Sequence, residues 1–470
     1  MLKPALDMIA GKVLFKESFA QYGILTTIIQ ALALKIFGSY LITIRLLTAF
    51  FYSLISLLLY FIYKRFLPRF LLIVSLFIWL FMAPYYLVTF LPWSSVYSLF
   101  FQLLVVYLFI LFLENKSFKY FIFGSIVTAI IFWFRQSVGL FTSLAVIVYF
   151  IYLFITKRIE KQVLKTYLLY YFSICLSVSF IFILYLFLNH SLNDWFKQSI
   201  LLLFVWGANY SDGFGFLNFI NSMLVIYPLT PSISLIPIWL LLPLSIIILQ
   251  IIHFKNKILS FVICVSLASW LQYYPITCSR HEYWGATPMI PLFCLLIYQL
   301  CGRFTLSQWT IPKNLVKYVT LLIIIFCFFP DISARIYQGL SALNKNYQYV
   351  ERPRVLKGMK LSIAEAKFYQ NLSDEFADYF KRNPKGNIVN NTPDPLYLTF
   401  DVRIKNIQPM YASWPIVSNS IYPNFTNTLN TYIKKNRPLV IVYKGKKPQG
   451  YCEMENKGYL YFTSLALPCE

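Results

Sequence analysis

Charged residues are scarce in this chain of 470 residues. Asp, Glu, Lys and Arg together make up 13% of it, about half of the roughly 25% that is usual in soluble domains. Hydrophobic residues make up 59%, which excludes an ordinary soluble fold. Histidine occurs 3 times, and no two of the 8 cysteines form a CxxC pair. Because no His, Cys or carboxylate group shows metal-ligand spacing, we predict no metal site.

Several functional motifs are also absent. The chain contains neither the Walker A pattern GxxxxGK[ST] nor the nucleophile elbow GxSxG, so it encodes neither P-loop ATP hydrolysis nor an α/β-hydrolase site. Charged residues are nearly absent from the centres of its apolar runs, where a proton-coupled pump needs a relay. We therefore predict no bound cofactor and no ion-driven transport.

Long apolar runs are what the sequence does contain. Each is apolar on every face and about as long as a helix that crosses ~30 Å of hydrocarbon. This pattern predicts an α-helical polytopic membrane protein with about ten to eleven spans. Ten runs lie at 41–62, 70–90, 96–113, 119–134, 138–156, 167–188, 233–252, 258–276, 286–301 and 314–330.

The basic residues that give the net charge of +23 lie in alternate loops. One set of loops contains Arg135, Lys197 and Arg280, and the other set contains many more: Lys64, Arg65, Arg69, Lys116, Lys119, Lys157, Arg158, Lys161, Lys165, Lys255, Lys257, Arg303, Lys313 and Lys317. Basic loops face the cytoplasm, so the sparse set faces outward. We predict a multi-pass protein of a bacterial inner membrane that contacts membrane lipids and no nucleic acid.

Composition divides the chain into three predicted parts. Residues 1–40 form an outer loop with an interfacial helix, 41–330 form the transmembrane domain with a long outer loop at 189–232, and 331–470 form a small extracytoplasmic α/β domain. Residues 22–38 are apolar enough either to span or to lie at the interface. In the last part, Cys452 and Cys469 allow a disulfide in an oxidising compartment.

Two outward-facing segments carry ionisable residues at lipid-headgroup depth. Arg135 and Gln136 interrupt "FWFRQSVGLF", and "CSRHEYWGATP" places three ionisable residues in succession: Arg280, His281 and Glu282. Arginine matches phosphate through its forked donors, so we expect these residues, with Lys197, to bind a lipid-linked phosphate. The alternatives are a snorkelling arginine and an ordinary aromatic belt at the interface.

The N-terminal stretch "ALDMIAGKVLFKESFAQYGILTTIIQALALKIFG" resembles the first outer loop of the GT-C superfamily of polyprenyl-phosphate-sugar-dependent glycosyltransferases. The superfamily includes the protein O-mannosyltransferases and the bacterial enzymes that modify lipid A. "FRQSVGL" and "RHEYWGATPMIP" are similar to two further outer segments of these enzymes. The residues that match in the first stretch and the next span are Gly11, Lys12, Phe15, Glu17, Tyr22, Gly23, Leu25, Gly38 and Arg45.

The resemblance implies a transfer in which cations hold a prenyl-phosphate leaving group and a carboxylate acts as base on the acceptor hydroxyl. The implied partners are a polyprenyl-phosphate-linked sugar and a lipid or glycan acceptor in the cell envelope. In the superfamily the essential acid precedes the position of Asp7, which here places it upstream of Met1. Asp7 and Glu17 are the remaining carboxylate candidates for the base. A relative that binds or translocates lipid-linked sugars without catalysis is the alternative expectation.

Overall fold

The computed structural model describes most of the chain. The described residues are 2–82, 92–205, 215–225, 238–274, 279–306, 313–343, 346–391, 396, 399–400, 404–405, 420–436, 438–443, 452–457 and 460–464. Two compact units are present. Unit 1 combines Met1–Leu47, Ile183–Trp206 and Lys345–Glu470, and unit 2 combines Thr48–Phe182 with Gly207–Asn344.

Apolar helices dominate the described residues. Four helices are long and apolar enough to cross a membrane: α3 (Leu41–Tyr63), α5 (Ser94–Asn115), α7 (Gln136–Ile155) and α8 (Lys161–Leu188). The remaining helices outside the C-terminal region, most of them shorter, are α1 (Leu2–Ile9), α2 (Ile24–Phe37), α4 (Arg69–Met82), α6 (Phe118–Phe134), α9 (Leu192–Phe196), α10 (Phe216–Val225), α11 (Ile238–Ile252), α12 (Lys257–Leu271), α13 (Ser279–Ala286), α14 (Met289–Leu306) and α15 (Lys313–Leu343). The described helices agree with the predicted helical membrane protein, and the predicted count of about ten to eleven spans stays a prediction.

Unit 2 is a bundle in which helices α5, α6, α7 and α12 pack against one another. At one end, the Tyr149 hydroxyl donates to the Lys257 carbonyl at 3.0 Å and Arg158 donates to the Phe254 carbonyl at 2.8 Å. These residues lie in or beside the basic loops. At the other end lie Arg135 and the start of α5. Arg135, from the sparse loop set, and Arg158, from the basic loop set, therefore lie at opposite ends of this bundle.

A sharp corner at Arg135 joins α6 to α7. Arg135 has an extended backbone (φ −154°, ψ 114°), which ends one helix and begins the next within a single residue. The two helices approach so closely that a Cβ atom at Gly139 would overlap the backbone of Phe132. Glycine at position 139 is therefore what allows the corner to close and what fixes the place of Arg135.

Unit 1 is built around two apolar clusters. The first joins α1, α2 and the start of α3 to the C-terminal region through residues such as Leu2, Leu34, Ile44 and Val355. The second joins the loop after α1 to α16 (Ile363–Arg382), β3 (Ile388–Asn391) and α17 (Phe425–Asn436) through the following buried side chains: Phe19, Leu202, Leu372, Phe376, Phe380, Ile388, Ile421 and Phe425. In each cluster, segments far apart in sequence thus pack together.

The C-terminal region of unit 1 contains two sheets. A hairpin pairs β1 (Tyr347–Tyr349) with β2 (Lys360–Ser362), and Ser362 then caps α16 in a capping box with Glu365. The larger sheet contains β3 and four further strands: β4 (Ile404–Lys405), β5 (Leu439–Tyr443), β6 (Cys452–Lys457) and β7 (Leu460–Ser464). The strand order is β4-β3-β5-β7-β6, in which the pairs β3–β4 and β3–β5 are parallel and the pairs β5–β7 and β6–β7 are antiparallel.

Some boundaries differ from those expected. The predicted domain start at 331 falls inside α15, which continues through Pro330 to Leu343. The return of charged residues there marks the end of the apolar stretch and not the end of the helix. The predicted loop 189–232 contains α9, a π-helical turn at Lys197–Leu201 and α10. Cys469 lies outside the described residues, so the expected pairing with Cys452 stays a prediction.

Two glycine-to-alanine variants test the corner. Gly139→Ala is expected to destabilise unit 2 by about 1–3 kcal/mol because its methyl group overpacks against Phe132. Gly302→Ala is the matched control, since a Cβ atom there meets nothing within 4 Å and alanine favours helix. Thermal unfolding of the purified protein in detergent measures both, and equal midpoints for the two variants would contradict the account.

Candidate functional site

Arg135 lies buried at the corner between α6 and α7, with 7% of its surface exposed. Its Nη1 donates a 2.7 Å hydrogen bond to Ser95 Oγ. Its guanidinium carbon lies 5.1 Å from the centre of the Tyr273 ring, within range of a cation–π interaction. A planar cation is thus held between a hydroxyl group and an aromatic face.

Two helix N-termini meet at this arginine. Helix α5 begins at Ser94, next to the serine that Arg135 contacts, and helix α7 begins at Gln136. Neither helix has a side-chain hydrogen bond at its N-cap residue. The first N–H groups of a helix carry partial positive charge and attract anions. The corner therefore concentrates positive potential from one full charge and two helix dipoles.

The Tyr273 ring links Arg135 to the second predicted group. It stacks on His281, with ring centres 4.7 Å apart and an interplanar angle of 17°. On other sides, His281 lies 6.2 Å from the rings of both Trp93 and Trp284. Arg135 and His281 thus belong to one cluster, although they are 146 positions apart in the sequence (281 − 135). We call Trp93, Ser95, Arg135, Tyr273 and His281 the Arg135 cluster.

Two other predicted residues lie beside this cluster. Gln136 is the first residue of α7 and is 4% exposed, and Glu282 in α13 is 1% exposed. Burial raises the pKa of the Glu282 carboxyl to about 8, and the Trp270 indole offsets this shift in part. The carboxyl is thus mostly protonated at neutral pH. Arg280 also belongs to α13, but its side chain lies outside the described residues.

In unit 1, Asp7 is a buried and fully engaged carboxylate. Its Oδ1 accepts 2.8 Å hydrogen bonds from the ammonium groups of Lys3 and Lys12, and its Oδ2 accepts one of 2.7 Å from Ser18 Oγ. Burial lowers the pKa of Lys3 more than the ion pair raises it. An ion-paired carboxylate with 3% exposure is poorly placed to remove a proton from an acceptor.

Glu17, the second candidate base, is exposed in the loop after α1. Its Oε2 accepts a 2.7 Å hydrogen bond from the Val13 backbone N–H, which closes a turn. The carboxylate is accessible to solvent. Of the two carboxylates that the sequence singles out near the N-terminus, Glu17 is the one that the structure leaves open to a substrate.

Lys197 opens the π-helical turn of unit 1, with its ammonium 5.6 Å from the centre of the Tyr422 ring. Gln198 organises the surroundings: its Oε1 accepts from Ala20 N–H at 3.0 Å, and its Nε2 donates to the Phe15 carbonyl and to the Tyr422 hydroxyl at 2.6 Å each. That hydroxyl in turn donates to Asp194 at 3.3 Å. Lys197 and the N-terminal carboxylates therefore lie in the same unit.

The described residues contain no group of three His, Cys, Asp or Glu side chains that could hold a metal ion. Asp7 does not fit a metal ligand here, because two lysines and a serine occupy its oxygens. Two lysine ammonium groups at that distance also repel a divalent cation.

Four residues of these networks were not predicted from the sequence: Ser95, Tyr273, Gln198 and Tyr422. Tyr273 belongs to an aromatic stretch that is typical of a membrane interface, and a lone serine or glutamine carries no motif. The π-helical turn at Lys197–Leu201 is a signal of function, but it is visible only in the structure.

Comparison with known proteins identifies the fold. No protein-family model and no curated protein sequence matches this chain. Among solved structures, the chain is similar to the crystal structure of the Archaeoglobus fulgidus oligosaccharyltransferase in complex with zinc and sulfate. The TM-score is 0.54 at 11% sequence identity, and the match covers 98% of this chain and 68% of that one.

This similarity extends over nearly the whole chain, so it concerns both units and not one isolated bundle. At this level of identity it establishes the fold alone. The shared fold agrees with the fold that the predicted resemblance implies, and it singles out no subfamily.

Substitution of Asp7 tests whether it is structural. Asp7→Asn is expected to destabilise unit 1 by about 3–5 kcal/mol, because it leaves the buried Lys3 ammonium without its counter-charge. The double variant Lys3→Met with Asp7→Asn should recover much of this loss. Glu17→Gln is the control and should change stability by no more than about 0.5 kcal/mol.

Thermal unfolding in detergent, followed by tryptophan fluorescence, measures these changes. A single variant Asp7→Asn that unfolds like the wild type but has lost sugar transfer would show instead that Asp7 is catalytic.

Proposed function

We propose that this protein is a membrane glycosyltransferase that takes a sugar from a polyprenyl-phosphate carrier. The acceptor is a lipid or glycan of the cell envelope on the outer face of a bacterial inner membrane. The observation that carries the proposal is the Arg135 cluster, in which a buried guanidinium lies where two uncapped helix N-termini meet. The similarity in fold to an oligosaccharyltransferase supports it.

The phosphate of the carrier binds at Arg135. Guanidinium groups bind phosphate oxygens with two parallel hydrogen bonds, and helix N-termini add backbone donors. Stabilising the charge that develops on a departing phosphate is the largest part of such a transfer. Ser95 and the Tyr273 ring hold the guanidinium in place, so little reorganisation is needed when the carrier leaves.

Two carboxylates near the N-terminus, Asp7 and Glu17, are the candidates for the base that activates the acceptor hydroxyl. Glu17 is exposed, whereas Asp7 is engaged by Lys3 and Lys12. The ion pairing of Asp7 favours the second candidate function, in which the protein binds or translocates lipid-linked sugars without transferring them. Both functions require the same phosphate site at Arg135.

Binding of a polyprenyl phosphate to the purified protein in nanodiscs tests the phosphate site. Arg135→Met is expected to weaken binding about 10- to 100-fold, the loss of one or two charge-assisted hydrogen bonds. Arg135→Lys should also weaken it, because the forked geometry is lost while the charge is kept. Arg65→Lys is the matched control, since Arg65 pairs with Glu114 away from the cluster.

Equal affinities of Arg135→Met and wild type would contradict the phosphate site. Transfer of labelled sugar from the carrier to envelope material separates the two candidate functions. Transfer that is lost in Glu17→Gln supports the enzyme with Glu17 as base, and saturable binding without transfer supports the non-catalytic protein.

A further inference from the structure

Several buried polar atoms of unit 2 have no hydrogen-bonding partner among the residues that the structure describes. They are Ser94 Oγ, Gln136 Nε2, Ser269 Oγ, Gln272 Oε1 and Glu282 Oε1, and the Trp270 indole, which interacts with the Glu282 carboxyl, lies beside them. Each of these side chains is at least nine-tenths buried. Native proteins leave few buried polar atoms unsatisfied, and each such atom calls for an explanation.

These five residues lie at the same end of unit 2. Ser94 and Gln136 adjoin Ser95 and Arg135, which are hydrogen-bonded to each other. The other three, Ser269, Gln272 and Glu282, lie at the end of α12 or in α13, two helices that are in contact. A Cβ atom at Gly285 of α13 would lie 3.0 Å from the Ser269 carbonyl oxygen. The stacked rings of Tyr273 and His281 connect the two groups.

Aromatic rings accompany the unsatisfied atoms. Trp93 and Trp284 lie 5.6 Å apart, and Trp79 stacks on Tyr283 at 6.1 Å. Several of these rings are largely buried. Polar atoms that lack partners and aromatic faces therefore occur side by side, next to the guanidinium of Arg135.

The chemistry of Glu282 differs from that of Arg135. A carboxylate repels a phosphate, so Glu282 does not belong to an anion site when it is ionised. Burial raises the pKa of this carboxyl to about 8, and the protonated form both donates and accepts hydrogen bonds. Gln136 and Gln272 offer amide donors and acceptors with no net charge. Together they suit a neutral ligand that carries many hydroxyl groups.

We propose that Glu282, Gln136 and Gln272 bind the hydroxyl groups of a carbohydrate ring beside Arg135. The inference rests on the proposed function, because it places the sugar of the lipid carrier next to the phosphate. A sugar ring presents hydroxyls around its edge and C–H groups on its faces. The edge pairs with the carboxyl and the amides, and a face packs on the aromatic rings, as tryptophan and tyrosine side chains allow.

Binding of two lipids distinguishes the carbohydrate site from the phosphate site. One is a polyprenyl phosphate, and the other is the same carrier with a hexose attached. Glu282→Leu is expected to weaken binding of the hexose-bearing lipid about tenfold or more. It should leave binding of the sugar-free lipid within about twofold. Glu282→Gln should keep most of the affinity, because an amide also donates and accepts hydrogen bonds.

Glu160→Leu is the control, since Glu160 is exposed in the loop before α8. Gln272→Leu is the second test variant if Glu282→Leu does not fold, and it should show the same selective loss. Equal weakening of both lipids, or no weakening of either, would overturn the carbohydrate site and leave buried water as the partner of these atoms.

If the wild type binds neither lipid, the proposed function fails, and free hexoses decide the carbohydrate site. Glucose, galactose and mannose are titrated into the full chain while tryptophan fluorescence is recorded. Saturable quenching that Glu282→Leu abolishes supports the site, and the absence of saturable quenching with all three sugars overturns it.

Discussion

The placement of a buried guanidinium at a helix corner is the constraint on which unit 2 depends. The buried guanidinium of Arg135 is stabilised there because Ser95 accepts a hydrogen bond from it and the Tyr273 ring face lies against it. The corner itself requires Gly139, whose missing side chain lets α7 approach the backbone of Phe132. One glycine, one hydroxyl and one ring therefore hold a cation where two helices expose their N-terminal N–H groups, and that arrangement is suited to an anion.

Unit 1 uses charge differently. The Asp7 carboxylate neutralises Lys3, which has little contact with water, and the pair contributes to the order of the segment after α1. Gln198 then fixes the end of that segment by hydrogen bonds to Phe15 and Ala20. Because of these hydrogen bonds and ion pairs, the N-terminal stretch is ordered. Glu17 remains exposed within it, which gives the segment one accessible carboxylate.

The sequence predicted the helices correctly where long apolar runs determine them. The run 41–62 is found as α3 (Leu41–Tyr63), because a helix is the way to satisfy backbone groups in lipid. The sequence also grouped Arg135 with the segment of His281, because both carry ionisable residues in segments predicted to face outward, and the structure brings the two residues into one cluster. The sequence did not predict Tyr273 as the link between them, because contacts between distant segments leave no local pattern. For the same reason, the shared core of Phe19 with Phe376 was not foreseen.

An experimental structure of the full chain in nanodiscs with a hexose-bearing polyprenyl phosphate tests the central claim most directly. The account predicts phosphate oxygens within hydrogen-bonding distance of the Arg135 guanidinium and the hexose against Glu282. A carrier phosphate bound elsewhere, with the Arg135 cluster unchanged and occupied by water alone, would contradict it.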